Sequence, residues 1–159
     1  PDSFEGIKKL TPDSLIANEA PTRLKEITAI ISAVDSLEKR LNIPVVMGGD
    51  FNSPSHLDWV ESTRKFHYGK VVAWPVSKLM LVHGYTDSFR EAHPDPTQTL
   101  EGTWGYLSPR DIISDRIDFI YYKGQSLKTL SSEIVMEDPK GGFFNSDHRA
   151  VLTKFELKN

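Results

Sequence analysis

Three short polar clusters lie beside apolar segments, where their side chains could cooperate in catalysis. The first places Asp50 and Asn52 two positions apart, directly after the apolar residues 43–47 and two glycines. Residues i and i+2 of an extended chain point to the same side, so we expect both side chains to face one pocket. A carboxylate there can activate a water, and an amide can donate a hydrogen bond to an anionic oxygen. A plain turn is the alternative, because turns favour the same residue types.

The second cluster contains a carboxylate inside an apolar segment. Asp118 lies between Ile117 and Phe119, where a carboxylate is costly unless it is paired or hydrogen-bonded. One interpretation is an ion pair with Arg116, which is two positions earlier and would face the same side. The functional interpretation is that Asp118 accepts a hydrogen bond from a histidine, which fixes the tautomer and stabilises the imidazolium.

The third cluster ends with Asp147 and His148, just before the last apolar segment of the chain. It combines a hard oxygen ligand with a group that titrates near neutral pH. Each cluster taken singly favours a structural role, either a turn or an ion pair, but three of them beside buried strands indicate one site at the edge of a sheet. The remaining histidines lack a comparable carboxylate pattern, and we interpret them as surface or structural residues: His56, His67, His83 and His93.

The segments that must position these clusters indicate alternating helices and strands. After a polar lead-in at residues 1–20, apolar residues recur at helical spacing from Leu24 to Leu41 and predict an amphipathic helix. The apolar residues 43–47 predict a strand buried on both faces. Together they favour a layered α/β architecture. Further strands are predicted at residues 71–74, 117–122, 132–136 and 150–157, and short helices at 57–65, 77–83 and 89–92.

Composition limits the classes of function. The 159 residues carry a net charge of −3 and no cysteine, so disulfides, cysteine-type zinc sites and thiol nucleophiles are excluded. Nucleic-acid binders usually carry a basic stripe, and the acidic balance favours a small partner over long duplex nucleic acid. No apolar run is long enough to span a bilayer. Nothing in the sequence assigns a compartment.

Four motifs, in this order, resemble the endonuclease/exonuclease/phosphatase superfamily. They are Gly49 to Asn52, Thr103-Trp104, Arg116 to Ile120, and Ser146 to His148. The resemblance runs from about residue 22 to the C terminus and implies half of a four-layered α/β sandwich. Such a half has a mostly antiparallel or mixed sheet with helices on one face, so residues 21–159 would be the C-terminal half of the domain.

The resemblance also implies roles for individual residues. His148 is similar to the catalytic histidine at the scissile phosphate, and Asp118 to its carboxylate partner. Asp50 is similar to the residue that activates water, and it would share metal binding with Asp147. The implied cofactor is a divalent cation, Mg²⁺ first, with Mn²⁺ and Ca²⁺ also compatible. The implied substrate contacts come from Asn52, Trp104 and Arg116.

The superfamily's first half, with its chief metal-binding glutamate, has no counterpart in this sequence. The resemblance therefore implies a metal-dependent hydrolase of phosphodiesters or phosphomonoesters, nucleic acid included, when this chain is joined to that half. The alternatives are a non-catalytic half-domain that serves binding or assembly, and a structural α/β domain. An isolated half would be inactive and would expose an apolar sheet face, which is unfavourable in water. We expect self-association, or the rest of a larger protein, to cover that face.

Overall fold

The computed structural model describes residues 8–41, 43–104, 114–135 and 146–158. Within them the fold is mixed α/β with antiparallel sheets, which confirms the predicted fold class. In the described ranges, no helix has both the length and the apolar character needed to cross a membrane.

The first described elements are helical. Helix α1 covers Pro12–Glu19 and is followed by a π-helical segment at Ala20–Leu24 and by helix α2 at Lys25–Leu41. The prediction that residues 1–20 are irregular is therefore wrong at Pro12–Glu19. The side chain of Thr11 caps this helix by accepting the backbone N–H of Ser14. Pro12 stands at the first helical position, where its fixed φ favours a helix start instead of a loop.

Three strands form the sheet that carries the first two clusters. Strand β1 is Val45–Asp50, β2 is Thr86–Asp87 and β3 is Asp118–Lys123. Their order is β1-β3-β2, and both pairings are antiparallel. Strand β1 is an edge strand, and Val46 is 53% exposed. The prediction of a strand buried on both faces is therefore wrong, because the described residues cover only one face of β1.

A second sheet pairs β4, Leu127–Val135, with β5, Ala150–Leu157. The sequence predicted β5 closely but located only the end of β4. Helices α3, Pro75–Val82, and α4, Ser88–Ala92, agree with the prediction. Residues 57–65 instead contain turns and part of a 3₁₀ helix at Glu61–Phe66. Residues 71–74 form no strand, although Val72 and Trp74 are buried.

Two apolar clusters hold these elements together. The larger one lies between α2, α3 and the three-stranded sheet, and the smaller one joins α1 to the segments around Trp59 and Trp74. The larger cluster consists of Ile27, Ile31, Val76, Met80, Tyr85, Phe119 and Tyr121. Beneath β3 lies a buried ion network in which Arg116 contacts both Asp58 and Asp87.

Candidate active site

The register between β1 and β3 places two of the predicted catalytic residues side by side. Asp50 is the last residue of β1, and its partner across the ladder is Asp118, the first residue of β3. Directly opposed residues of an antiparallel pair have their side chains about 5 Å apart. An antiparallel pair thus brings the end of one strand to the beginning of the next, so the two clusters meet although they occupy opposite strand ends.

Asn52 contacts Asp50 through a tight turn. The Asn52 side-chain amide donates to Asp50 Oδ2 at 2.9 Å, and its backbone N–H donates to Asp50 Oδ1 at 2.7 Å. The residue has φ 49°, a left-handed conformation that asparagine tolerates better than most residues. This hydrogen bond joins two side chains that the sequence analysis expected to face one pocket. It arises from a turn instead of an extended segment.

Asp118 and His148 form the histidine–carboxylate pair that the sequence predicted. His148 Nδ1 lies 2.9 Å from Asp118 Oδ2. This hydrogen bond is the main reason that the pKa of His148 is raised, with the charges of Asp50 and Asp147 adding to it and partial burial opposing it. Because the carboxylate accepts the Nδ1 proton, Nε2 is the ring nitrogen left to exchange a proton with a substrate.

Three of these groups can serve one cation. Ligand atoms of Asp50, Asp118 and His148 all lie within 4.8 Å of one another. Two carboxylates suit a hard divalent ion such as Mg²⁺, which keeps several waters and needs few protein ligands. The donor set fits the implied cofactor. Asp147, the other predicted metal ligand, is exposed and lies outside this group of three.

Thr103 connects the two chain segments that carry the pair. Its buried hydroxyl accepts the backbone N–H groups of Ile117 and Asp118, each at 3.0 Å. Its carbonyl accepts the backbone N–H of Arg149 at 2.7 Å, next to His148. The motif around Thr103 and Trp104 was visible in the sequence, but the role of the hydroxyl was not, since its partners are backbone atoms.

Trp104 lies at the site, and Arg116 does not. Trp104 forms an isolated antiparallel bridge with His148 and is 40% exposed. Arg116 is buried and donates to Asp58 and Asp87 instead of pairing with Asp118. The predicted substrate contact of Arg116 therefore lacks a geometric basis. The Arg116 guanidinium can be buried because the carboxylates of Asp58 and Asp87 compensate its charge.

The other histidines include a pair that the sequence analysis did not anticipate. His83 Nδ1 lies 3.2 Å from Asp35 Oδ2, and neither residue belongs to the three-group cluster. His67 stacks on Trp59, with ring centroids 4.4 Å apart, and burial lowers its pKa to about 4. His67 is therefore structural, as expected.

Comparison with known proteins identifies the family. The model of the Endonuclease/Exonuclease/phosphatase family matches residues 8–148, so the chain belongs to this family. An uncharacterized Caenorhabditis elegans protein is 37% identical over 125 residues, which are 70% of this chain and 39% of the relative.

Two solved structures share the fold. A 3′-5′ exonuclease from Neisseria meningitidis has a TM-score of 0.56 at 22% identity, covering 82% of this chain and 52% of that one. A mannosyl-6-phosphatase from Bacteroides thetaiotaomicron has a TM-score of 0.51 at 19% identity, covering 85% and 46%. This chain thus spans about half the length of the proteins it resembles.

Proposed function

We propose that the protein carrying this chain is a metal-dependent phosphoesterase with its reaction centre at the Asp50–Asp118–His148 cluster. The observation that carries the proposal is the convergence of these three groups within 4.8 Å, with Asn52 hydrogen-bonded to Asp50. Members of this family are hydrolytic phosphoesterases, so the chemistry agrees with the family match.

The geometry supports a separate task for each residue. Asp50 accepts hydrogen bonds and faces the cluster, so it can orient the attacking water. Asn52 can direct its amide group toward a phosphoryl oxygen. Asp118 fixes the His148 tautomer, and His148 Nε2 exchanges the proton at the ester oxygen. Asp147 remains a proposed outer carboxylate that adds negative charge beside His148.

A divalent cation bound by Asp50, beside the His148–Asp118 pair, would neutralise charge on the phosphoryl oxygens. Asp50 would fill few of the six positions around Mg²⁺, and waters and substrate oxygens complete such shells. We propose that a further protein carboxylate comes from residues beyond this chain. The same residues would cover the exposed apolar side chains of α2 and β1, namely Ile30, Leu37, Leu41 and Val46.

Self-association is the other way to cover that face, and light scattering of the isolated chain distinguishes the two. A dimer or larger assembly at micromolar concentration supports self-association. A monomer supports cover by the rest of the protein.

The substrate class follows from charge: with a net charge of −3, a small phosphoester suits the site better than long duplex DNA. One similar structure is a 3′ phosphatase bound to a product DNA hairpin. The assays should therefore include DNA with a 3′-terminal phosphate.

The test is hydrolysis by the complete protein, assayed with Mg²⁺ and with chelator on phosphomonoesters, phosphodiesters and DNA. We expect Asp50→Asn, Asp118→Asn and His148→Ala each to lower kcat by at least about 100-fold, the usual scale for acid–base groups. His83→Ala is the matched control, because it breaks a second histidine–carboxylate pair outside the cluster.

Unchanged turnover in all three cluster variants would remove the proposal. If the complete protein neither hydrolyses these esters nor binds Mg²⁺ in calorimetry, the binding or assembly module becomes the better interpretation of the chain.

A further inference from the structure

A pocket of about 230 Å³ lies next to the cluster and has no role in the proposed chemistry. Asn52 and Trp104 are both part of its lining. Asn52 donates to Asp50, and Trp104 forms the bridge with His148. A group esterified to a phosphate at the cluster would therefore extend from the reacting centre into this pocket.

The walls of the pocket are largely apolar and aromatic. Trp59 and Trp74 pack edge to face, with ring centroids 5.2 Å apart, and both are buried. Leu15 of helix α1 and the partly exposed Trp104 also line it. Walls of this kind exclude water and contact the apolar C–H surface of a ligand.

Two buried polar atoms in this lining, one on Glu19 and one on Trp74, lack hydrogen-bond partners among the described residues. Glu19 is 6% exposed and Trp74 is 6% exposed. Among the described residues, neither Glu19 Oε2 nor Trp74 Nε1 has a hydrogen-bond partner. Leaving a buried donor or acceptor unpaired destabilises the folded state, so such groups point to a ligand that completes them. A third polar group, Asp115, already accepts the Trp59 indole N–H at 2.9 Å through Oδ1.

These two unpaired atoms restrict the ligand's chemistry. Glu19 Oε2 needs a donor and Trp74 Nε1 needs an acceptor, and a hydroxyl group can serve as either. An alkyl chain offers neither, and a quaternary ammonium group satisfies neither hydrogen bond. Among the described residues, no lysine or arginine lines the pocket, so it offers no positive charge to the next phosphate of a nucleic-acid strand. A nucleobase would need an open ring face, whereas Trp59 stacks on His67 and packs edge to face with Trp74.

We propose that this pocket binds the sugar portion of a phosphorylated sugar whose phosphate lies at Asp50, Asn52 and His148. The proposal rests on the phosphoesterase function above and adds its substrate class. Hydroxyl groups donate to Glu19 and accept from Trp74, while the C–H face of the ring contacts the tryptophans. Helix α1 contributes to selectivity because it carries both Leu15 and Glu19.

The experiment measures kcat/KM of the complete protein for glucose 6-phosphate, p-nitrophenyl phosphate and adenosine 5′-monophosphate. Glu19→Gln keeps the shape of the side chain but replaces an acceptor oxygen with an amide donor. Trp74→Phe keeps an aromatic wall and removes the indole N–H. The matched control is Glu133→Gln, an exposed glutamate on β4 away from the pocket.

We expect the wild type to prefer glucose 6-phosphate. We expect each pocket variant to lower the ratio of kcat/KM for glucose 6-phosphate over p-nitrophenyl phosphate by about tenfold, as one lost hydrogen bond implies. Glu133→Gln should keep the wild-type ratio. Urea unfolding of every variant separates a lost contact from a lost fold.

Three outcomes overturn the sugar pocket. They are a wild-type preference for p-nitrophenyl phosphate, a preference for the nucleotide, or an unchanged ratio in both folded pocket variants. The proposed function fails separately, if the wild type hydrolyses no phosphoester at all.

Discussion

The hydroxyl of Thr103 accepts the backbone N–H of Asp118 at 3.0 Å and thereby fixes the residue that orients His148. The same oxygen accepts the N–H of Ile117, and the Thr103 carbonyl accepts Arg149 N–H beside His148. Thr103 thus holds both segments that carry the histidine–carboxylate pair, one through its hydroxyl and the other through its backbone carbonyl.

We therefore expect Thr103→Val to weaken both the fold and the histidine–carboxylate pair. Valine matches the shape of threonine but leaves two buried N–H groups without an acceptor, at about 1–3 kcal/mol each. Urea unfolding should show the loss of stability, and kcat should fall by more than KM changes. Thr103→Ser keeps the hydroxyl and should retain most of both. Equal behaviour of the two variants would show that the hydroxyl does not position the pair.

The His148–Asp118 pair should make stability depend on pH. The hydrogen bond to Asp118 raises the His148 pKa above the ordinary value of 6.5 in the folded protein. The pair's contribution is thus fully present below about pH 6.5 and is lost as pH rises through the higher folded-state pKa. Asp118→Asn should lower that pKa, which NMR titration of the imidazole in metal-free buffer can follow. Asp35→Asn is the control, and an unchanged His148 titration in Asp118→Asn would contradict the assignment.

Arg116 should matter for stability instead of substrate binding. Arg116→Met removes the guanidinium that pairs with the buried carboxylates of Asp58 and Asp87. Breaking a buried ion pair in this way lowers the free energy of unfolding by about 3–5 kcal/mol. Arg64→Met removes an exposed pair with Glu61 and should cost less than about 1 kcal/mol. Unfolding measurements compare the two. A stable Arg116→Met protein with a raised KM would restore the substrate-binding role that the sequence indicated.

The same network should contribute to unfolding in acid. Burial opposes ionisation of Asp58, but the charges of Arg116 and Arg90 outweigh it and lower the Asp58 pKa below 3.8. The contribution of Asp58 is therefore present above pH 3.8 and is lost as pH falls through the lower folded-state pKa. We expect Asp58→Asn to be less stable at neutral pH and to approach the wild type in strong acid. A constant difference across that range would argue against an ionised Asp58.

Asp115 should have the opposite pH dependence. Burial raises the pKa of Asp115 to about 7, against the hydrogen bond from Trp59 and together with the Asp58 charge. The folded state then binds more protons than the unfolded state between about pH 4 and 7, so this group's contribution falls as pH rises there. Asp115→Asn should gain stability relative to the wild type at pH 8. Asp13→Asn, at an exposed position, is the control and should keep the wild-type dependence of unfolding free energy on pH. The same wild-type dependence in Asp115→Asn would contradict the raised pKa of Asp115.

Metal titration should separate the two predicted metal carboxylates. Asp50 belongs to the three-group cluster, and Asp147 does not. We expect Asp50→Asn to weaken Mg²⁺ binding by the complete protein by at least about tenfold, since it removes a ligand oxygen. Asp147→Asn should have a smaller effect, as expected for a charge outside the ligand shell. Equal losses in calorimetry would place Asp147 among the ligands, as the sequence resemblance implied.

The His148–Asp118 hydrogen bond was predictable because few residue types can partner a carboxylate in an apolar segment. Asp118 lies within an apolar segment and needs a partner, and His148 was singled out because Asp147 directly precedes it. The partners of Arg116 were not predictable, because Asp58 and Asp87 are far from it in sequence and carry no motif. Helix α1 was missed because Pro12 was interpreted as a loop residue, although proline at a first helical position favours the helix.

The Asp50–Asp118 pairing across the ladder also limits where insertions and deletions can occur in the sequence. A single-residue insertion within β1 or β3 would shift the alignment of the strands and turn the following side chains to the opposite face. The loops that separate Asp50, Asp118 and His148 are under no such restriction, since loop length has a small effect on folding free energy. Homologues should therefore vary in length between these residues while keeping the two strands free of gaps.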